Sequence, residues 1–218
     1  IDKSDKLKEE FISSISHELR TPLTSIKGYL EAILDGTIPP EMHEKYLNIV
    51  LNETQRLTKL TNSLLTLNNL NTNGMLLNSS HFDINQTIRN TIATFEGTCR
   101  KKDISVELVL TGEELYVFGD MEKIQQVLYN LIDNAIKFSP QDSTIKIETS
   151  EKRNKIFVSV KDTGIGIPKE DIKMIWDRFY KSDLSRGKDK KGTGLGLSIT
   201  KEIINAHNEN INVISTPG

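Results

Sequence analysis

The 218 residues carry 28 basic and 30 acidic side chains, a net charge of -2, and are 36% hydrophobic and 27% charged, which excludes a disordered or membrane-embedded chain. Before position 71 there are 8 basic and 10 acidic residues and after it 20 of each, so neither half is a basic nucleic-acid surface or an acidic tail. Cys99 is the single cysteine, which rules out an internal disulfide, a cysteine-based zinc site and a redox pair, and suits a reducing compartment.

The chain opens without an apolar signal-peptide core or an initiator Met, so it reads as a piece of something longer. Apolar residues then recur at Leu7, Phe11, Ile15, Leu19, Leu23, Ile26, Leu30 and Ile33, the steps of four and three that predict a long amphipathic helix. Gly36-Thr37-Ile38-Pro39-Pro40 stops it. A second stripe at Tyr46, Ile49, Val50, Leu57, Leu60, Leu64, Leu67 and Leu70 completes a helical hairpin over residues 1–72. Two helices cannot surround their own stripes. Two hairpins pairing into a four-helix bundle can, so a homodimer through residues 1–72 is expected.

Leu60–Phe82 is the longest segment free of Asp, Glu, Lys and Arg, but its six asparagines exclude a membrane span. Its turn-forming end makes residues 73–80 a linker, with a second domain over 81–218. There Ile84–Arg100 reads as a helix, Ser105–Leu110 and Leu115–Phe118 as strands, and Met121–Phe138 as a strong amphipathic helix. Thr144–Glu148 and Lys155–Lys161 alternate with the period of half-buried strands. Leu195–His207 is a last helix and Ile211–Ser215 a last strand, after which a sheet of this kind wants another strand, so truncation or disorder at the C-terminus is expected. The fold class is a helical hairpin, dimerised as a four-helix bundle, followed by an α/β sandwich.

Four segments carry chemistry. In Ser16-His17-Glu18-Leu19-Arg20-Thr21-Pro22-Leu23, His17 lies about 200° around the helix from both Ile15 and Leu19 and so points away from the apolar stripe. Glu18 can accept from one ring nitrogen and leave the other a neutral nucleophile. Pro22 removes the amide that would bond the Glu18 carbonyl, so the helix should loosen or bend, and Thr21 shares the face of His17. His43, His81 and His207 read as ordinary solvated or satisfied histidines.

On the next segment, Asn130, Asn134 and Lys137 line one side of a helix. Carboxamide oxygens suit Mg²⁺ where a nucleotide's phosphates supply most of the charge, and Lys137 reaches phosphates as a point charge. An ordinary polar face is the competing reading. In Asp162-Thr163-Gly164-Ile165-Gly166-Ile167-Pro168 the carboxylate is an acceptor that selects an amino group such as that of adenine, although Gly-x-Gly alone equally makes a tight turn. Finally Gly192-Thr193-Gly194-Leu195-Gly196-Leu197 opens a helix with amides suited to phosphate, while Lys181–Lys191 reads as a lid or a solvated loop.

In this order and spacing the segments resemble the cytoplasmic core of a bacterial two-component sensor histidine kinase, over nearly the whole chain. His17–Leu23 is similar to that family's H box, Asn130–Phe138 to its N box and Asp162–Pro168 to its first glycine box. Asp177–Lys181 is similar to its F box and Gly192–Leu197 to its second glycine box. The resemblance implies a phosphoacceptor hairpin and a Bergerat-type ATP-binding domain. Within these, His17 takes the γ-phosphoryl group of ATP with Glu18 assisting and passes it to an aspartate on the receiver domain of a response regulator. It implies Mg²⁺ at Asn134, with Asn130 beside the phosphates or assisting it, and adenine read by Asp162. Phe138, Gly164, Gly166, Ile167 and Tyr180 would line the nucleotide, and Lys137, Lys181 and the stretch Gly192, Thr193, Gly194, Leu195, Gly196 and Leu197 would hold its phosphates.

Thr21 with Glu18 is similar to the family's motif for dephosphorylating the regulator, which implies a second activity. A membrane-anchored parent protein is likewise implied, with no nucleic acid and no direct membrane contact in this stretch. Lys181 stands where the family often has Arg, and Phe138 where it often has Tyr. Asn208-Glu209 replaces its Gly-Gly, and the Gly-x-Gly after the last strand is missing. Two other readings use the same residues, an ATPase that drives conformational change as Hsp90-like and gyrase-like proteins do, and a non-catalytic nucleotide-binding scaffold. The hairpin with its His17 segment argues against the first, and the presence of His17, Asn134 and Asp162 together argues against the second.

Overall fold

The computed structural model describes residues 3–72, 76–182 and 192–217. The chain divides into two compact units, one built on residues 1–68 and the other on residues 69–190 and 195–218.

The first unit is a hairpin of α1 (Lys3–Leu34) and α2 (His43–Thr72). Gly36 ends α1: at φ +79 it takes the left-handed conformation that glycine adopts without steric cost, and its amide donates to the Ile33 carbonyl. The amide of Ile38 reaches back to Ala32 at 2.8 Å, and the Ile38 side chain is buried. A 3₁₀ turn at Pro40–Met42 leads into α2, and His43 donates from Nε2 to the Ile38 carbonyl at 2.9 Å, closing the loop. The helix α1 runs unbroken through Pro22, so the expected loosening there does not interrupt it. The apolar stripe is only partly covered. Leu60 is 2% exposed and most other described stripe residues are half-buried, but Leu23 and Leu30 are 51% and 38% exposed, and beside the stripe Leu51 and Leu65 are each more than half exposed. The stripe positions Leu7, Leu67 and Leu70 fall on side chains outside the described set.

In the second unit, β1 (Ser80–Asp83) pairs antiparallel with β3 (Tyr116–Gly119), and each strand runs directly into a helix N-cap. Asp83 accepts from the amide of Asn85 to cap α3 (Ile84–Ala93), and also from the amide of Leu115. Asp120 accepts from the amides of Lys123 and Asn78 and caps α5 (Met121–Phe138). Between them, α4 (Glu96–Lys101) follows a break at Thr94 and Phe95, so the stretch Ile84–Arg100 is two helices rather than the one expected.

The main sheet has the order β2-β4-β5, with β2 (Ser105–Val109) parallel to β4 (Thr144–Lys152) and β4 antiparallel to β5 (Lys155–Lys161). Along β4, Ile145, Ile147 and Thr149 are buried in alternation, giving the sheet its core face. Against them pack Ile88, Leu128, Ile132 and Ile136 from α3 and α5. The buried Asn85 is satisfied: its amide donates to the Thr111 carbonyl and its oxygen accepts from Thr149. A last helix, α6 (Gly196–Ala206), packs on α5.

Two expectations need correction here. Residues 73–80 were read as linker, yet Ser80 opens β1, while residues 73–75 lie outside the described set. Ile211–Ser215 is not a strand. A strand needs a neighbour's backbone, and this segment instead uses the Ser215 hydroxyl to accept from the Ile167 amide at 2.9 Å while Ile214 is 99% exposed.

Candidate functional site

On the hairpin, His17 sits on α1 with its side chain exposed, whereas Ile15 and Leu19 on either side are half-buried. Helical phase therefore puts the imidazole in water while its neighbours carry the packing. One turn on, the Thr21 hydroxyl donates to the His17 carbonyl at 3.1 Å, and Pro22 is buried. Glu18, expected on the imidazole, is instead engaged by α2: Arg56 Nη2 lies 3.0 Å from its Oε2. The other arm of that guanidinium, Nη1, is 3.7 Å from Glu53. Glu53 and Arg56 were not singled out from sequence. Their spacing on one helix was readable, but a partner 38 residues away was not.

In the α/β unit the second expected site is built on α5. Asn130 donates from Nδ2 to the Gly196 carbonyl at 3.1 Å and to the Thr200 hydroxyl at 3.4 Å, tying the N-box-like helix to the first turn of α6. Its nitrogen is thus used in structure and its oxygen is the acceptor that remains for chemistry. Asn134 is half-buried one turn further along. Lys137 pairs with Asp133 at 2.7 Å, an i,i+4 link that steadies its ammonium and that the sequence reading passed over. At the C-terminus of α5, Lys102 donates to the carbonyls of Ile136, Lys137 and Ser139 at 2.7, 3.1 and 3.2 Å. A cation on the negative end of the helix dipole holds the Phe138 corner in place.

That corner meets the first glycine segment. A Cβ on Gly164 would lie 2.7 Å from Asp162 Oδ1 and 3.0 Å from the Phe138 carbonyl oxygen, so only glycine fits. The exposed Asp162 accepts from the Gly164 amide through Oδ1 at 2.8 Å, an Asx turn that fixes the direction of the carboxylate. Gly166 is left-handed at φ +68, and the Thr216–Pro217 backbone fills the space a side chain would need. Its neighbour Ile167 is held through its amide by Ser215.

Further along, the Tyr180 hydroxyl donates to the buried Asp171 at 2.7 Å, and Phe179 is held at φ +63, a conformation costly for a bulky residue. This hydroxyl braces its own segment. Lys181 is half-buried. Gly194, at φ +70, turns the chain before the buried Leu195 and the start of α6, and Gly192, Thr193 and Leu197 flank it half-buried. From residue 183 to 191 the expected lid lies outside the described residues. Asp133, Asp171 and Ser215 are supporting residues that no sequence motif marked. His207, read as a satisfied histidine, is one: Nε2 accepts from the Asp120 amide at 3.0 Å and Nδ1 donates to the Ile203 carbonyl at 2.8 Å.

Among the described residues no cluster of three His, Cys, Asp or Glu side chains could hold a metal ion. A cation here would rest on a carboxamide oxygen and on phosphate, and the donor set of Asn130 and Asn134 fits that description.

Comparison with solved structures decides the family. The structure of Acinetobacter baumannii histidine kinase AdeS superposes with a TM-score of 0.72 at 32% sequence identity, covering 87% of this chain and 86% of that one. The chain belongs to the histidine kinase family. It carries both halves of the family's core: residues 7–73 match the His Kinase A (phospho-acceptor) domain, and residues 119–218 match the histidine kinase-, DNA gyrase B- and HSP90-like ATPase family. His17 falls in the first match, and Asn130, Asn134 and Asp162 in the second.

Sensor histidine kinase WalK of Bacillus subtilis is 40% identical over 215 residues, covering 96% of this chain and 35% of WalK. Histidine kinase ThkA, solved in complex with response regulator protein TrrA, gives a TM-score of 0.76 at 30% identity over 94% of this chain and 57% of that one. The chain spans about a third of the length of the curated relatives it matches. Among the described residues, no helix is long and apolar enough to cross a membrane.

Proposed function

We propose that this histidine kinase core phosphorylates itself on His17 with ATP and then hands the phosphoryl group to an aspartate on a response regulator. The observation that carries the reading is the exposed imidazole of His17, off the packing face and inside the stretch that matches a phospho-acceptor domain, on a chain that also matches an ATPase domain. In the step, a ring nitrogen of His17 bonds to the γ-phosphorus as the bond from phosphorus to the leaving oxygen of ADP breaks. The proton on the other ring nitrogen passes to Glu18. Catalysis of this kind is positioning and charge neutralisation.

Asp162 reads the adenine amino group through the oxygen not used by the Gly164 amide. Phe138, Gly164, Gly166 and Ile167 form the nucleoside corner. Lys137, Lys181 and the backbone from Gly192 to Leu197 hold the phosphates, while Tyr180 steadies the F-box-like turn. Asn134, assisted by Asn130, would hold Mg²⁺, which supplies charge neutralisation at the phosphates when bound. Two hairpins pair through the half-covered stripe into a four-helix bundle. Residues 1–72 are the dimerising and phosphotransfer domain, residues 73–79 the connection, and the ATP-binding domain runs from Ser80, where β1 opens, to residue 218. The ThkA–TrrA complex supports a receiver domain as the acceptor's partner.

Glu18 and Thr21 also serve a separate step, in which a water they orient attacks the regulator's phosphoaspartate, frees the aspartate and releases inorganic phosphate. Dependence on ATP and a single cysteine without a disulfide support a cytoplasmic setting within a longer sensor protein.

Incubation with Mg²⁺ and γ-labelled ATP tests the reading. Label that is acid-labile and base-stable, and that is lost in His17→Gln, is expected. Persistence of the label in that variant, or a hydroxyl-ester stability profile, would contradict it.

A further inference from the structure

Among the described residues, the Glu18–Arg56–Glu53 cluster is the most enclosed charged group on the hairpin. The three side chains are 26%, 15% and 22% exposed, on helices whose leucines are mostly more open than that. The guanidinium does not clamp one carboxylate with both arms. Nη2 takes a single oxygen of Glu18 at 3.0 Å, and Nη1 is directed to Glu53 at 3.7 Å. One oxygen of Glu18 is therefore tethered and the other, Oε1, is left for a different donor.

Helical geometry alone does not deliver that oxygen to His17. Adjacent residues on a helix point about 100° apart and do not face each other. A glutamate with three rotatable bonds also spreads over many rotamers, and fixing it costs entropy at the moment of reaction.

From this we infer that Arg56 is a positioning residue for the phosphoryl transfer. It tethers Oε2 of Glu18 so that Oε1 is presented to the ring nitrogen of His17 that must lose its proton, and Glu53 holds Arg56 in register. The inference rests on the proposed autophosphorylation. When the N–P bond forms the imidazole becomes cationic, and the proton leaves to a carboxylate already held in place by a residue on the other helix.

The test is the initial rate of acid-labile labelling of the full chain against ATP concentration, for the wild type, Arg56→Ala, Arg56→Lys, Glu18→Gln and the Arg56→Ala/Glu18→Gln double variant. Arg56→Ala should lower the maximal rate about tenfold, the lower end of what losing an orienting partner costs, with the half-saturating ATP concentration unchanged. Arg56→Lys should recover to within about threefold, since it keeps the charge but not the fork. In the Glu18→Gln background, Arg56→Ala should add nothing, because its route runs through Glu18.

Losses that multiply would make Arg56 a general brace and overturn the inference, as would an Arg56→Ala rate equal to or above wild type. If Arg56→Ala loses helical content, Glu53→Gln replaces it. That variant keeps the Glu18 pair but frees the guanidinium, and an unchanged rate there overturns the inference equally. A wild type that takes up no label removes the proposed function itself, whereas a labelled wild type with indifferent Arg56 variants removes only this inference.

Discussion

The two units handle their apolar residues in opposite ways. The α/β unit encloses them: Ile88, Ile145, Ile147, Leu195 and Ile203 are sealed from solvent at 0% exposure, and Ile132 and Ile199 nearly so. The hairpin half-buries most of its own and leaves others in water, with Ile12 at 59%, Leu23 at 51% and Leu51 at 55% exposed. A unit of the first kind carries its stability within itself, whereas one of the second kind borrows it from a second copy. The division also suits the chemistry. A nucleotide site needs backbone corners held to tenths of an ångström, while a phosphoacceptor needs one histidine standing in the open.

The comparison can be broken first at the core. Ile132→Ala removes a side chain that is 1% exposed and should cost about 3 kcal/mol, melting the α/β unit at lower temperature while the hairpin's helical signal persists. Cys99 gives a second readout. Burial pushes its thiol up from the usual range, so it should resist alkylation in the folded wild type and react much faster in this variant. A single merged transition for both units would contradict the division.

Next, Leu30→Glu places a charge on an open position of the stripe and should weaken self-association by about 2 kcal/mol per buried leucine, read by sedimentation, with nucleotide affinity unmoved. A chain that is monomeric before the change would sink the borrowed-stability argument. Asp162→Asn sharpens the other side. It turns an acceptor-only carboxylate into a mixed donor and acceptor, and should weaken Mg-ATP binding by about 2 kcal/mol while reducing discrimination against GTP, by calorimetric titration. Unchanged selectivity would move adenine recognition elsewhere. The smallest effect is expected from Lys102→Met, which removes three hydrogen bonds to the end of α5 and should lower the α/β melting midpoint by the equivalent of about 1 kcal/mol. No shift would mean that solvent satisfies those carbonyls equally well.

Periodicity showed where long elements lie but not how they end or close. The hairpin, α5 and the alternation along β4 and β5 were legible because each repeats a pattern over many residues. The four-residue β1 was not, since Ser80-His81-Phe82-Asp83 has no room for a period and lies in a chargeless stretch. The break after α3 falls at Thr94 and Phe95, where neither glycine nor proline announces it. The outer half of β4 was lost for a different reason. Ser150, Glu151 and Lys152 are polar, and they pair with β5 across a left-handed Arg153–Asn154 turn that carries no glycine. Conversely, Ile211–Ser215 alternates convincingly, but a strand is a property of two segments and its neighbour's ladder is not engaged.

At the first glycine segment, the need for Gly164 and Gly166 was legible because close backbone approach restricts residue type. The brace residues Arg56, Asp133 and Asp171 were not, because their meaning lies in a partner that sequence spacing does not name.

The most direct test of the central claim is peptide mapping at neutral pH after incubation with Mg-ATP. The account predicts a phosphoryl group on the peptide bearing His17 and on none bearing His43, His81 or His207. Phosphate found on another residue, or ATP consumed to ADP and inorganic phosphate with no modified peptide in any fraction, would contradict it.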